Sequence, residues 1–246
     1  MSYNLKNIHW YQHLNNISLT LPNQGFVAII GPNGAGKSTL MNLLSRWQQP
    51  TQGEITFMGK PLNRYKPLEL ARHMAWLPQK STIAWDLTVR QVVELGGYAK
   101  RHILHQKTPA EKIDKILQSV ELQDFTEHAA NTLSGGEQSR MHLARLMASD
   151  TQYWLLDEFD AGLDWHHSLR LFELLKNHSK NKLIICIIHD LNIAKQIADK
   201  VILLNKGKLV DFGTATDVMT TAQLSHIWQT PITQKEDGWL APQYPL

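Results

Sequence analysis

Eight consecutive residues, Gly31-Pro32-Asn33-Gly34-Ala35-Gly36-Lys37-Ser38, follow the spacing G-x-x-x-x-G-K-[ST] of a phosphate-binding P-loop. Glycines let a backbone curl until successive N–H groups face one point, and such a point attracts phosphate oxygens. A helix starting near Gly36 adds its partial positive N-terminal charge. Lys37 is then expected against the β- and γ-phosphates of the ligand, with the Ser38 hydroxyl on Mg²⁺ and Thr39 next in the binding set. The flanks agree: the apolar run Phe26–Ile30 precedes the loop, and Leu40, Leu43 and Leu44 recur at helical spacing after it.

A second chemical feature is Tyr153-Trp154-Leu155-Leu156-Asp157-Glu158, an apolar strand that ends in two acids. Alone, such a pair suits a solvated turn equally well. Downstream of a phosphate cradle, Asp157 suits Mg²⁺ and Glu158 suits the general base that polarises the attacking water. A third feature is Leu133-Ser134-Gly135-Gly136-Glu137, where Ser134 and Glu137 have capping-box spacing at a helix start. Its glycines expose backbone N–H groups to an anion, yet one cradle is already present. A second one has a use if it serves a neighbouring molecule.

Leu-Ser-Gly-Gly-Glu, lying between a P-loop and an acid pair, resembles the signature of ABC (ATP-binding cassette) ATPases. In that family the signature of one subunit closes over ATP held by the P-loop of the other, which implies nucleotide contacts from Ser134, Gly135, Gly136 and Glu137. The resemblance extends along nearly the whole chain. Gln79 matches the glutamine that touches Mg²⁺ or the attacking water, Asp164 the loop that meets the partner subunit, and His189 the switch histidine on the γ-phosphate. The implied catalytic set is Glu158, His189, Gln79 and Lys37, with Mg²⁺ held by Ser38, Gln79 and Asp157. An aromatic stacks on adenine in this family; Tyr11 is the choice and Trp10 the alternative. The chain departs from the pattern at Phe159 and Asp160, where Pro and Thr or Ser are usual, and at Gly162, where a bulkier residue is usual. These departures bear on the dimer contact. The remaining histidines, among them His9, His13, His102, His105, His166 and His167, read as solvated side chains rather than metal ligands.

The segment from Asp86 to Tyr98 and the run His189-Asp190-Leu191-Asn192 resemble the ATPases of iron–siderophore, haem and cobalamin importers. That resemblance implies a head-to-tail pair of this chain under two transmembrane permease subunits, with a substrate-binding protein delivering cargo. Part of the helical block, roughly residues 80–105, would receive the permease's cytoplasmic helices. An exporter ATPase and a soluble, non-transport ABC ATPase are the alternatives.

These residues need elements to hold them. Ile17, Leu19 and Leu21 alternate with Ser18 and Thr20 as in a half-buried strand, and Glu54–Met58 forms a second. Phe26–Ile30, Tyr153–Leu156, Leu183–Ile188 and Val201–Leu204 read as buried parallel strands separated by helices. Thr108-Pro109-Ala110-Glu111 reads as a capped helix start, with Ile113, Ile116, Leu117 and Val120 on one face. The fold class is therefore α/β: a P-loop NTPase core with a mostly parallel sheet, an N-terminal antiparallel β subdomain and an inserted α-helical subdomain. A single ABC ATPase domain is expected over residues 1–246, with a core in 1–79 and 150–230, a helical signature subdomain in 80–149 and a tail in 231–246. The tail yields no element from its periodicity.

Bulk properties narrow the function classes. A formal charge of +3 without a long basic run gives no basis for nucleic-acid binding. The single Cys186 lies in an apolar run and is expected as a buried thiol. The start Met1–Lys6 lacks the apolar core of a signal peptide, and no apolar run reaches the roughly 18–20 residues that span a bilayer. The expected location is peripheral, on the cytoplasmic face of the inner membrane.

Overall fold

The computed structural model of the protein describes residues 2–79, 86–104, 108–160 and 162–243. The chain opens with β1 (Tyr3–Trp10), β2 (Leu14–Thr20), β3 (Gly25–Ile30), α1 (Lys37–Leu44), β4 (Gln52–Phe57) and β5 (Lys60–Pro61). A more helical stretch follows, with α2 (Pro67–Leu70), β6 (Met74–Leu77), α3 (Val89–Leu95), α4 (Tyr98–Leu104), α5 (Ala110–Ser119) and α6 (Gly135–Ala148). Next come β7 (Tyr153–Asp157), α7 (Trp165–Ser179), β8 (Leu183–Ile187), α8 (Leu191–Ile197), β9 (Lys200–Asn205) and β10 (Lys208–Gly213). The chain closes with α9 (Ala215–Val218), α10 (Thr221–Trp228), β11 (Ile232–Gln234) and β12 (Leu240–Pro242). Two compact units result, one of residues 1–65 with 176–246 and one of residues 66–175.

The first unit combines an antiparallel sheet, order β2-β1-β4-β5, with strands in the order β10-β9-β3-β8. β3 is parallel to both β8 and β9, in the register Ile29↔Ile187 and Ile29↔Ile202. Both faces of these strands are covered, which is why β8 and the run Phe26–Ile30 carry no polar alternation and are fully buried. In β2 the alternation is kept: Ile17 and Leu19 are buried and Ser18 between them is exposed. Two-residue hairpins close β4 on β5 at Met58-Gly59 and β9 on β10 at Lys206-Gly207, each with positive φ at both positions. That geometry suits the right-handed twist of the flanking strands.

The turn from β3 into α1 requires glycine twice. At Gly31 (φ 151°) a Cβ would meet the Leu204 carbonyl oxygen at 2.2 Å. At Gly36 (φ 98°) it would meet Leu14 Cδ2 at 2.7 Å and the His13 carbonyl oxygen at 2.9 Å. Gly34 differs: its φ is 76°, and nothing lies within 4 Å of where a Cβ would stand.

Two readings of the sequence are corrected. The tail is a β-hairpin: Ile232 pairs with Pro242 and Gln234 with Leu240. The start of α5 is not a capping box, because Pro109 is the N-cap residue and no side chain caps the helix. Pro109 accepts the N–H groups of Lys112 and Ile113 through its own carbonyl, so Thr108 lies one residue too early to reach them. The apolar face of α5 is as expected, with Ile113, Ile116, Leu117 and Val120 buried.

In the second unit, β6 and β7 pair in parallel, and α6 contacts α3, α5 and β6. Asp150, just past α6, joins the surrounding helices. Lys100 of α4 donates to its carboxylate and its carbonyl at 2.9 and 3.0 Å, and Lys112 of α5 lies 2.9 Å from the same carboxylate oxygen. Burial opposes ionisation of Asp150, but hydrogen bonds from Lys112 and Lys100 outweigh it and hold the carboxyl well below the usual carboxylate range. Because the folded pKa is depressed, this contribution is complete above the unfolded value of about 3.9 and is lost as pH falls through the folded value.

Asp150→Asn is therefore expected to lower unfolding stability by about 1 kcal/mol near pH 7, a figure set by solvent screening of a half-exposed cluster. The deficit should shrink as denaturant titrations move from pH 5 to pH 2; a deficit independent of pH would refute the ionic origin. Gly31→Ala should cost at least about 2 kcal/mol, since backbone must shift, whereas Gly34→Ala should cost about 1 kcal/mol of left-handed strain. Thermal unfolding of the two variants side by side checks the ranking.

Candidate functional site

In the first unit the loop 31–36 wraps the head of its own lysine. Lys37 is 6% exposed, and its ammonium donates to the carbonyls of Gly31 at 2.8 Å and Pro32 at 3.1 Å. The loop is closed on itself by the Ala35 N–H to the Pro32 carbonyl at 3.1 Å, and tied to the β9–β10 turn by the Gly207 N–H to the Ala35 carbonyl. A buried ammonium needs oxygen partners, and two carbonyls supply them here. Ser38 and Thr39 occupy the first turn of α1, where helix N–H groups lack intrahelical acceptors. Asn33 and Gly34 lie at the tip of the loop, exposed, with Pro32 half-buried and Ala35 buried beside them.

Tyr11 also belongs to this unit. It stands in the β1–β2 turn with φ 44° and 75% exposure, and Trp10 packs edge-on against it at 5.0 Å. Trp10 also contacts the His13 ring at 5.3 Å. Of the two aromatics, Tyr11 offers the freer face. His189 follows β8 on the segment between Ile187 and Leu191, exposed, one residue before the Asp190 that caps α8.

The second unit carries the acids. Asp157 ends β7 and is 4% exposed. Glu158 follows in the left-handed region at φ 52°, a conformation that costs a non-glycine residue roughly 1–2 kcal/mol. Its carboxylate accepts from Gln79 Nε2 at 2.6 Å, so the structure brings together two residues that lie 79 apart in sequence. Gln79, Glu158, Gly135, Gln138 and Ser139 line one cleft of about 110 Å³. Phe159 turns inward, 4% exposed, with its ring 4.9 Å from that of Phe172. The aromatic departure at this position is thus a core contact that anchors the chain beside Glu158.

Ser134 caps α6 as the spacing implied. Glu137 Oε2 accepts from the Ser134 N–H and hydroxyl, each at 2.7 Å, and the Ser134 hydroxyl accepts from the Glu137 N–H at 3.4 Å. The hydroxyl and backbone bonds from Ser134 hold the Glu137 carboxyl below its ordinary value. A Cβ on Gly135 would meet nothing, whereas one on Gly136 would meet the Gly162 carbonyl at 3.3 Å. The signature start and the Gly162–Asp164 stretch are therefore neighbours.

Asp164 accepts from the His167 N–H at 2.9 Å and from its ring Nδ1 at 2.6 Å, which lowers its pKa. His167 Nε2 reaches toward Glu121 at 3.3 Å, and Arg140 and Arg170 pair with that same glutamate. The solvated reading of His167 is corrected: it is half-buried and bridges two acids. Sequence spacing could have suggested the near pair, Asp164 and His167 at i and i+3, but not Glu121. Asp164, His166 and His167 also cluster their ligand atoms within 4.8 Å. Among the described residues, no helix is long and apolar enough to cross a membrane.

Comparison with known proteins adds a family. The ABC transporter family matches residues 14–161. The hemin import ATP-binding protein HmuV of Escherichia coli O157:H7 is 39% identical over 230 residues, covering 90% of this chain and 88% of that protein. The ferric enterobactin transport ATP-binding protein FepC of Escherichia coli strain K12 is 34% identical over 222 residues, covering 89% and 82%. A bacterial ABC transporter cassette solved as a dimer superposes with a TM-score of 0.76 at 27% identity, covering 87% of this chain and 98% of that one. The match to residues 14–161 takes in the phosphate loop, the signature and both acids, and on that span the chain belongs to the ABC transporter family.

Proposed function

We propose that this protein is the ATP-binding and ATP-hydrolysing subunit of an ABC importer, powering uptake of an iron–siderophore complex, haem or cobalamin through a separate permease. The Gln79–Glu158 hydrogen bond carries the catalytic part of the reading: a base held by a fixed amide suits a water-activating role. The functions named for the two relatives, hemin import and ferric enterobactin transport, support the cargo class.

In this reading the N–H groups of Gly31–Gly36 and the Lys37 ammonium bind the phosphates of ATP, and Ser38 and Thr39 complete that set. Tyr11 stacks on adenine. Glu158 takes the proton of the attacking water, and His189 contacts the γ-phosphate. The donors Ser38, Asp157 and Gln79 offer oxygen alone, which fits a hard cation such as Mg²⁺. Bound there, the ion would neutralise charge on the β- and γ-phosphates. Two copies act head-to-tail, with Ser134, Gly135, Gly136, Glu137 and Asp164 of one completing the site of the other. The dimeric state of the solved cassette supports that pairing.

We further propose that residues 80–149 form the signature subdomain of the single ATPase domain, with a core in 1–79 and 150–230 and a tail in 231–246. The permease would dock beside it. A groove of about 360 Å³ lined by Leu68, Ala71, Trp76, Leu95, Tyr98 and Arg145 leaves Leu68, Leu95 and Tyr98 39–50% exposed. Exposed apolar side chains along a groove suit a short amphipathic helix of a membrane partner. Of the segment 80–105 expected to receive it, residues 80–85 and 105 lie outside the described residues. Two permease subunits, a substrate-binding protein upstream of them and a position on the cytoplasmic face of the inner membrane complete the assembly.

Glu158→Gln should bind ATP normally, hydrolyse it at least about 10³-fold more slowly and accumulate as a dimer in size-exclusion chromatography. Adding Ser134→Arg should abolish that dimer while leaving nucleotide affinity intact; brisk hydrolysis by Glu158→Gln refutes the base assignment. Purified with its permease and binding protein in vesicles, the protein should turn over faster with one of ferric siderophore, haem or cobalamin. Equal turnover with all three and without them counts against the importer reading.

A further inference from the structure

His189 lies on a short segment whose two ends are fixed by different means. On the strand side, the Ile188 N–H donates to the Ile29 carbonyl at 3.2 Å, continuing the β3–β8 register. On the helix side stands α8, only seven residues long and too short to hold by its own backbone bonds. Three sets of contacts hold it instead. The Asp190 carboxylate accepts from the N–H groups of Asn192 at 2.7 Å and Ile193 at 3.1 Å. Ile193, Ala194 and Ile197 bury the inner face. The outer side is gripped by the hairpin β11–β12.

That grip centres on Asn192. Its carboxamide oxygen accepts from the Leu240 N–H at 2.7 Å, and its amide nitrogen donates to the Leu240 carbonyl at 3.1 Å. One side chain thus imitates a strand partner for β12. One turn later, Lys195 donates to Gln234 Oε1 at 2.8 Å, which ties β11 to the same helix. The hairpin has another anchor in Ser225 of α10, whose hydroxyl accepts from the Ile232 N–H at 2.8 Å. A two-stranded hairpin with three-residue strands is marginal alone, and Leu240, 4% exposed, is its buried plug.

We infer that Asn192 is a positioning residue for His189: it clamps the C-terminal hairpin to the first turn of α8 and so fixes where His189 points. The inference rests on the proposed contact of His189 with the γ-phosphate. A helix start that pivots carries His189 with it, because only Asp190 separates His189 from the helix. Misplacement of a reacting group by about 1 Å can cost up to about 100-fold in rate. The binding loop 31–38 lies on other elements, so affinity for ATP should be spared.

The test uses the full-length chain with Mg–ATP in single-turnover hydrolysis, which stays readable at low rates, beside equilibrium ATP binding. Asn192→Ala should slow hydrolysis about tenfold, change ATP affinity less than twofold, and speed amide hydrogen exchange in Leu191–Ile197 but not in residues 31–38. Asn192→Asp, which keeps the acceptor for the Leu240 N–H, should fall between wild type and Asn192→Ala. In a His189→Gln background, Asn192→Ala should add less than twofold, since both changes act on one group. Wild-type turnover by Asn192→Ala, or a full tenfold loss added to His189→Gln, overturns the clamp. Undiminished turnover by His189→Gln alone overturns the reading of His189 instead.

Discussion

A lysine ammonium buried to 6% exposure needs oxygen atoms around it, and that requirement shapes the first unit. The carbonyls of Gly31 and Pro32 supply two of them, which forces the chain to double back between β3 and α1. Doubling back is possible because Gly31 approaches the Leu204 carbonyl more closely than any residue with a Cβ could. β3 must then be long and straight enough to deliver the loop, and its pairing with β8 and β9 does that. When carbonyls turn inward toward an ammonium, the peptide N–H groups turn elsewhere, and these are the donors a polyphosphate needs. Carbonyl dipoles hold a cation less firmly than charged phosphate oxygens can, so in the proposed function the loop supports Lys37 and yields it to the phosphates of ATP.

The chemistry is divided between the two units. The first carries the glycine loop, Lys37 and His189, and the second carries Asp157, Glu158 and Gln79. In the proposed function the first set holds the phosphates and the second activates water, and hydrolysis of a phosphoanhydride needs both. The signature start of α6 is a further glycine-bearing helix N-terminus. Its Ser134 and Glu137 hydrogen-bond to each other, and nothing lies within 4 Å of where a Cβ on Gly135 would stand. In the proposed head-to-tail pair this helix start meets the nucleotide held by the second copy.

The parts legible in the sequence are those set by local rules. Continuous apolar runs mark β3, β7, β8 and β9 because strands covered on both faces tolerate no polar alternation. The capping box at Ser134 was readable because both of its bonds lie within three residues. Long-range pairings left no such trace. Glu121 meets His167 and Arg170 from a different element, Gln79 meets Glu158 across 79 residues, and Asn192 meets Leu240 across 48. The hairpin β11–β12 was invisible for the same reason: three-residue strands are too short to show a period, and a side chain of α8 stands in for part of the missing ladder. Thr108 failed as a cap because spacing identifies a candidate but not the residue at which the helix turns begin.

Glu158 shows how a strained residue is kept in place. Its left-handed backbone opposes folding by roughly 1–2 kcal/mol. Its chain neighbours offset this cost. Before it, Asp157 ends a fully buried strand; after it, Phe159 buries its ring against Phe172 of α7. Burial of a phenylalanine contributes about 2–3 kcal/mol, enough to offset the strain. The usual Pro in this position would limit the backbone by its ring, whereas Phe159 limits it by packing, so the two solutions reach the same end by different physics. The bend then leaves the Glu158 carboxylate facing the cleft where Gln79 meets it, and removing the aromatic anchor would release the bend before it touched the carboxylate itself.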